Sequence, residues 1–480
     1  MDTRAVMSSR TAGIVAVALL SAGVAGCAAV GPNYKRPEVA PAKEFRSHVG
    51  PSEASSLADL PWWQVFNDKS LQALIAEGLA SNYDLQIAMA RIDQASAQVG
   101  VVRADLYPQV GYQAIAARQK SLVPFQPPQN VTYNTFGLTA GGAWELDVWG
   151  RIRRSTEAAR ANLFAQEDVR RAVMLALVSD IASAYFLLIE LDRELAIAQE
   201  SADVYQKTLD LFTQRYQAGR DAKLGVVRVQ ANLESSNANI AALKRAITQQ
   251  ENALCALVGA YPRPIARGTV LTQQSMPATP VGLTTDLLER RPDILQAEEA
   301  MITANAEIGV AVANYFPRIG LSALFGWEAT RPEDLFKSSF NVWGIGANLA
   351  GPIFQGGRLD AAYHAQQAFW DESIAQYKRV VIVAFQETSD ALIAQQTLVG
   401  QRDALQRQVD SLKESVDLAL QRYDSGRASY FEVLEAEQQL FPSQDALAQT
   451  QRDQLIAVVN LYKALGGGWN LKDADWTRPN

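Results

Sequence analysis

Cysteine and histidine are almost missing from this chain, at two residues each. With only Cys27 and Cys255 present, a disulfide framework and a thiolate metal cage are excluded. His48 and His364 stand in no metal-ligand spacing. There is no Walker loop, no dinucleotide fingerprint and no nucleophile elbow. Catalysis therefore has almost no foothold, and neither an enzyme nor a cofactor is expected. Excess positive charge is also lacking: the net charge of -7 argues against a nucleic-acid partner. Proline is absent between Pro128 and Pro262. Apolar residues are plentiful, at 48%, which excludes a disordered polymer.

The chain repeats itself. "QRYQAGR" (Gln214–Arg220) returns as "QRYDSGR" (Gln421–Arg427) roughly 207 residues later, and repeats are the first thing to look for in a sequence. At the same offset "ENALCALVG" meets "VVNLYKALG", and "GRI" at Gly150 meets "GRL" at Gly357. Further upstream the offset slips by about two residues, as an indel would make it. There "NYDLQIA" (Asn82–Ala88) meets "RPDILQA" (Arg291–Ala297), and "LYPQVG" meets "YFPRIG". A unit of about 190 residues is too long for a solenoid repeat and reads as a duplicated half.

An address label precedes the halves. Arg4 and Arg10 lead into the apolar "TAGIVAVALLSAGVAG", which ends at Cys27. A basic start, about 15 apolar residues and small residues before the cut describe a secretory signal peptide, too short to span a bilayer comfortably. Cys27 falls where cleavage should occur and resembles the acylated Cys of a bacterial lipobox. By the same resemblance, Ala28 after it favours export to the outer membrane.

Each half then changes period. A helical stretch from Asp68 ends at Pro108, and alternation follows. Val110, Tyr112, Ala114 and Ala116 share one face. In the next run Phe136, Leu138, Ala140, Gly142, Trp144, Leu146 and Val148 oppose Gly137, Thr139, Gly141, Ala143, Glu145 and Asp147. "KSLVPFQPPQNVTYN" between them reads as a loop. The second half repeats this in "PRIGLSALFGW" and "FNVWGIGANL". The pattern fits membrane-barrel strands and equally a soluble half-buried hairpin. Four strands cannot close a barrel, and open edges in lipid cost several kcal/mol per unpaired group. If the strands are membranous, several chains must pool them; three would give twelve.

A very long helix follows each hairpin. From Ser155 to Tyr216 about 60 residues give roughly 90 Å. Met174, Val178, Ile181, Tyr185, Leu188, Leu191, Leu195, Ala198, Ala202, Tyr205, Leu209, Phe212 and Tyr216 keep coiled-coil spacing. The second half keeps much of this seam but places Gln395 and Arg402 in it, predicting looser packing there. Each long helix ends at Tyr-x-x-Gly before a return helix. Gly219 and Gly426 are accounted for by turn chemistry. Arg220, Arg427, Tyr216 and Tyr423 are either complements of the helix dipole or a contact surface. Pro442 should kink the second return helix.

The lipobox Cys, "VGPNYKRPEV" (Val30–Val39), the duplicated helix–hairpin–helix halves and the "RYxxG" tips together resemble the outer membrane factors of tripartite efflux systems. The likeness is to NodT-type lipoproteins serving resistance-nodulation-division pumps, relatives of OprM and TolC. It implies an α+β membrane protein: a homotrimer with a twelve-stranded outer-membrane barrel continued by a coiled-coil α-helical tunnel in the periplasm. Residues 1–26 would be the signal peptide and 27–65 a lipidated segment. One repeat spans 66–260 (hairpin 109–148, tip 216–220), a linker 261–284, a second repeat 285–467 (hairpin 318–349, tip 423–427), and a tail 468–480. The implied partners are outer-membrane lipid, a periplasmic adaptor meeting the tips and an inner-membrane pump. By the same resemblance Phe431 takes an apolar constriction position and Glu435 an acidic ring position, with Glu432 a turn before; alternatively Glu435 is a solvated coiled-coil residue. Protein secretion, or a poreless periplasmic scaffold, are readings the residues leave open.

Overall fold

The computed structural model describes residues 29–38, 45, 56–123, 129–274, 286–468 and 470. The signal peptide, Cys27, residues 275–284 of the linker and nearly all of the tail lie outside these residues.

Asp68 begins the first long element: its carboxylate accepts the N–H groups of Ser70 (2.9 Å) and Leu71 (3.2 Å) and starts helix α1, Lys69–Ser81. The helical stretch that follows in sequence is not continuous. It breaks at Asn82, whose extended backbone ends α1 and whose Oδ1 accepts the Leu85 N–H at 3.0 Å to start α2, Tyr83–Ala104. Periodicity does not register such a one-residue break, because the apolar spacing resumes after it.

Strands β1 (Gln109–Val123) and β2 (Gln129–Leu146) form the first hairpin, and β3 (Arg318–Ala329) and β4 (Asn341–Ala350) the second. The expected loop after Gln119 is a correction: Lys120 pairs with Thr132 and Ser121 with Val131, so the ladder absorbs most of it. Backbone pairing decides this, against the Pro and Asn content. At the other end β2 stops at Leu146, short of Val148.

After the hairpins come α3 (Arg151–Gln217) and its return α4 (Lys223–Leu257), then α5 (Pro292–Ala313), α6 (Arg358–Asp424) and its return α7 (Tyr430–Ala464). The long helices are both 67 residues and the returns both 35. Helix α7 runs unbroken through Pro442.

The chain divides into two units. One takes residues up to Glu38, Arg91–Glu167 and Gln296–Tyr377; the other takes Val39–Ala90, Asp168–Leu295 and Lys378 onward. In the first, the strands form one antiparallel sheet in the order β1-β2-β3-β4. In the second, Trp62, Tyr185 and Tyr462 are fully buried, with Phe66 set edge-on to Phe186 and Tyr462. Buried Asp68 serves as a hub here, accepting from the Tyr185 hydroxyl (3.2 Å), the Thr269 N–H and Gln274 Nε2 (both 2.9 Å). The most apolar stretch of α3 meets the composition of a membrane span, yet Met174, Val178, Ile181 and Leu188 are packed into this core.

Candidate functional site

Register gives the sheet its chemistry. Tyr112 pairs with Ala140, Ala140 with Phe325 and Phe325 with Trp343. The next row on the same face joins Val110, Gly142, Ala323 and Ile345, and a further one joins Trp144, Leu321 and Ala347. Side chains alternate with period two, so an apolar face predicted strand by strand is continuous across all four. Among the described residues nothing covers it: Tyr112 is 85% exposed and Ile345 82%. The other face carries Gly111, Gly141, Leu324 and Gly344 in one row and Glu145, Gly320 and Asn348 in another. Among the described residues, strands β1 and β4 each have a neighbour on one side only.

The N-terminal motif has a structural use. The Val30 N–H donates to Trp149 O, and buried Arg154 donates to Val30 O and to Asn33 Oδ1 (2.7 Å). Tyr34 and Arg36 both donate to Glu298, and Asn305 to Pro32 O. Gly31 has φ +91°, and a Cβ there would lie 2.5 Å from Gly309 Cα. The strap is therefore clamped to the sheet-bearing unit. Its acceptors and donors lie more than a hundred residues away, so the motif was visible in sequence and its partners were not.

The tips are built twice from one motif. Gly219 and Gly426 both have φ +71°. The Gly219 N–H donates to Tyr216 O and the Arg220 N–H to Arg215 O, each at 2.9 Å; Gly426 and Arg427 do the same with Tyr423 and Arg422. This is the Schellman closure, which satisfies carbonyls a helix end leaves open. Among the described residues nothing lies within 4 Å of a Cβ built on either glycine, so the positive φ alone demands it. Tyr216, Arg220 and Arg427 are exposed, and among the described residues neither arginine forms an ion pair. Tyr423 differs from its counterpart: it is half-buried under the Arg215 guanidinium (4.9 Å) and edge-on to Tyr430 (5.0 Å).

The predicted gate residues stand together just past the second tip. Phe431 is 55% exposed, with the Arg228 guanidinium 5.7 Å from its ring. Glu432 is exposed and pairs with Arg422 at 3.5 Å, so it is not a free acid in the single chain. Glu435 is exposed. The remaining faces of this turn are inside: Val433, Leu434, Ala436 and Glu437 are buried.

Glu437 was missed in the sequence. It is 4% exposed, its Oε2 has no hydrogen-bond partner among the described residues, and burial pushes its carboxyl up to about 7. The signal was present: Val433, Glu437, Leu440, Gln444 and Leu447 step by four and three, placing an acid and an amide in a coiled-coil seam, and all five are buried. Glu190 on α3 is a second such acid. Burial first, then its hydrogen bond with Glu194, raises it to about 8, against Arg452 at 3.4 Å. Of the α3 seam, Met174 through Leu188, Ala198, Tyr205 and Phe212 are buried, whereas Leu191, Leu195, Ala202 and Leu209 are half-buried and Tyr216 is exposed. In the α6 seam Arg402 is half-buried and turned onto Asp403.

The model of the family described as outer membrane efflux protein matches residues 74–260 and 283–467. The chain is 32% identical over 469 residues to the probable efflux pump outer membrane protein TtgC of Pseudomonas putida, covering 96% of both. It is 31% identical to the probable outer membrane lipoprotein SilC of Salmonella typhimurium, over 93% of this chain and 96% of that one. Among solved structures, the outer-membrane channel OprN superposes with a TM-score of 0.86 at 30% identity, over 92% of this chain and 99% of its own.

Proposed function

The chain belongs to the outer membrane efflux protein family, and from that premise we propose how its parts perform export. It is the outer-membrane exit channel of a tripartite efflux pump, working with a periplasmic adaptor and an inner-membrane pump. The observation that carries the mechanism is the sheet: one uncovered apolar face, one face mainly of glycine and polar residues, and two edges unpaired among the described residues.

An open edge in lipid leaves backbone groups without partners, at several kcal/mol each. Pairing β4 of one copy with β1 of the next removes every edge, and three copies close a barrel of twelve strands within the known range. The apolar face then meets lipid, and the glycine-rich face lines a lumen. Acylation at Cys27 adds a second hold on the membrane. A single acyl chain binds only marginally, so the barrel dominates retention.

In the trimer the helices form the wall of a tunnel. Phe431 and Glu435, exposed in one chain, become rings of three in the trimer: an apolar constriction with carboxylates beside it, and Glu432 nearby held by Arg422. Acidic rings favour cations in pores. The tips meet the adaptor through Gly219, Gly426, Arg220, Arg427 and Tyr216, with Tyr423 bracing the second tip from behind. The two repeats, 66–260 and 285–467, supply one hairpin and one helical pair each. The chain itself performs no bond-making chemistry and needs no cofactor.

Detergent-extracted protein measured by light scattering is expected to be a trimer that conducts in planar bilayers. A stable folded monomer without conductance would defeat the channel assembly.

A further inference from the structure

On the sheet-bearing unit, α2, α3 and α5 enclose a groove of about 540 Å³ whose walls include Arg103, Arg160, Thr156, Leu106, Phe164 and Ile302. From its position and charge we infer that this groove binds the headgroup of an anionic glycerophospholipid, with the acyl chains lying against the apolar face of the sheet. The inference rests on the reading above that this face meets lipid.

One wall of the groove is tied to the apolar side. Trp144 belongs to the apolar row of β2, and its Nε1 donates at 2.9 Å to the carbonyl of Leu106, a groove residue. The opposite face has a separate hollow, lined by Asp105, Tyr107, Glu145, Arg151 and Asn348. The turn from α2 into β1 thus sends Leu106 to the lipid side and Asp105 and Tyr107 to the other. The groove sits at the helical end of the strands, where the apolar face stops and headgroups begin.

Its charge suits one negative ligand. Arg153 in the wall is already paired with Asp147 at 3.2 Å, and Glu157 is held by Arg154 at 2.8 Å. Arg103 and Arg160 are exposed and form no ion pair among the described residues, and Glu299 is the remaining carboxylate of the lining. Two guanidinium groups against one carboxylate leave a net positive groove, and the planar guanidinium fork matches phosphate oxygens. Phe164, 49% exposed, adds an apolar floor.

Native mass spectrometry of the full-length protein, delipidated and then offered phosphatidylglycerol, phosphatidylethanolamine or phosphatidylcholine, tests this. Phosphatidylglycerol should be retained preferentially, inorganic phosphate at millimolar concentration should not displace it, and Arg103→Gln with Arg160→Gln should weaken retention roughly thirtyfold, at about fivefold per arginine near a lipid surface. Both proteins should still form channels in phosphatidylcholine bilayers. Channels in neutral lipid combined with equal retention of all three lipids, or with no effect of the double variant, would sink the lipid site and leave the barrel intact. No channel in any bilayer would remove the barrel reading and this one with it. Should the variant not assemble, wild-type retention must fall as sodium chloride rises from low to high concentration; salt-independent retention overturns the proposal.

Discussion

Thr208 and Tyr430 share a hydrogen bond of 2.6 Å across 222 residues of sequence, with both hydroxyls buried. Tyr430 is the first residue of α7, and its ring stands edge-on to Phe212 at 5.1 Å and to Tyr423 at 5.0 Å. The two helical hairpins are therefore fastened to each other one residue before Phe431. Tyr430→Phe leaves the Thr208 hydroxyl buried without its partner and should cost about 1–2 kcal/mol. Thr208→Val with Tyr430→Phe should recover part of that loss. Thermal unfolding of both single variants and the double variant checks the sign of this coupling.

Three of the helix ends should not tolerate alanine equally. Gly219→Ala and Gly426→Ala meet open space, so each should cost only the left-handed backbone strain, about 1–2 kcal/mol. Gly259→Ala places a Cβ 2.5 Å from Ser81 O and should cost clearly more. Unfolding curves that rank Gly259→Ala as the mildest would refute the packing at the return-helix end.

Stability should fall with rising pH through Glu437. Its carboxyl titrates near 7 when folded, above the ordinary carboxylate range, because burial disfavours the charge. The folded chain thus holds a proton that the unfolded chain has released. This contribution is complete below the ordinary glutamate value of about 4.3 and is lost as pH rises through about 7. Glu437→Gln should raise the melting temperature at pH 8 and change it little at pH 4. The same shift at both pH values would show that Glu437 does not carry the proton.

Charge reversal at the tips should separate docking from stability. Arg220 and Arg427 are exposed, so Arg220→Glu with Arg427→Glu should leave trimer yield and melting unchanged while adaptor crosslinking and drug tolerance fall. Unaltered crosslinking would return both arginines to a role at the helix ends.

The proposed constriction gives the sharpest contrast. Phe431→Ala with Glu435→Ala should raise bilayer conductance and make cells more permeable to large antibiotics. Glu435→Ala alone should lower cation preference more than it raises conductance. Equal conductance and selectivity in all three proteins would place the narrowest point elsewhere.

Periodicity and turn chemistry made much of this protein legible without coordinates. The alternation that put Tyr112 and Trp144 on apolar strand faces is a property of consecutive residues, and the sheet obeys it. The two tip glycines were equally local, because a left-handed residue closing a helix is written in the few residues around it. Pairing and enclosure were not local. Lys120 and Thr132 became strand because each found the other across the ladder. Asn82 and Arg291, matched in sequence but unlike in chemistry, do the same work: Asn82 Nδ2 donates to Leu257 O at 2.8 Å and Arg291 Nη1 to Ala464 O at 3.0 Å. Glu437 had a seam position in the sequence, yet only the walls packed around it raised its carboxyl to about 7. Sequence sets what each residue can offer its neighbours. Which distant neighbour removes water from it is decided when the chain folds.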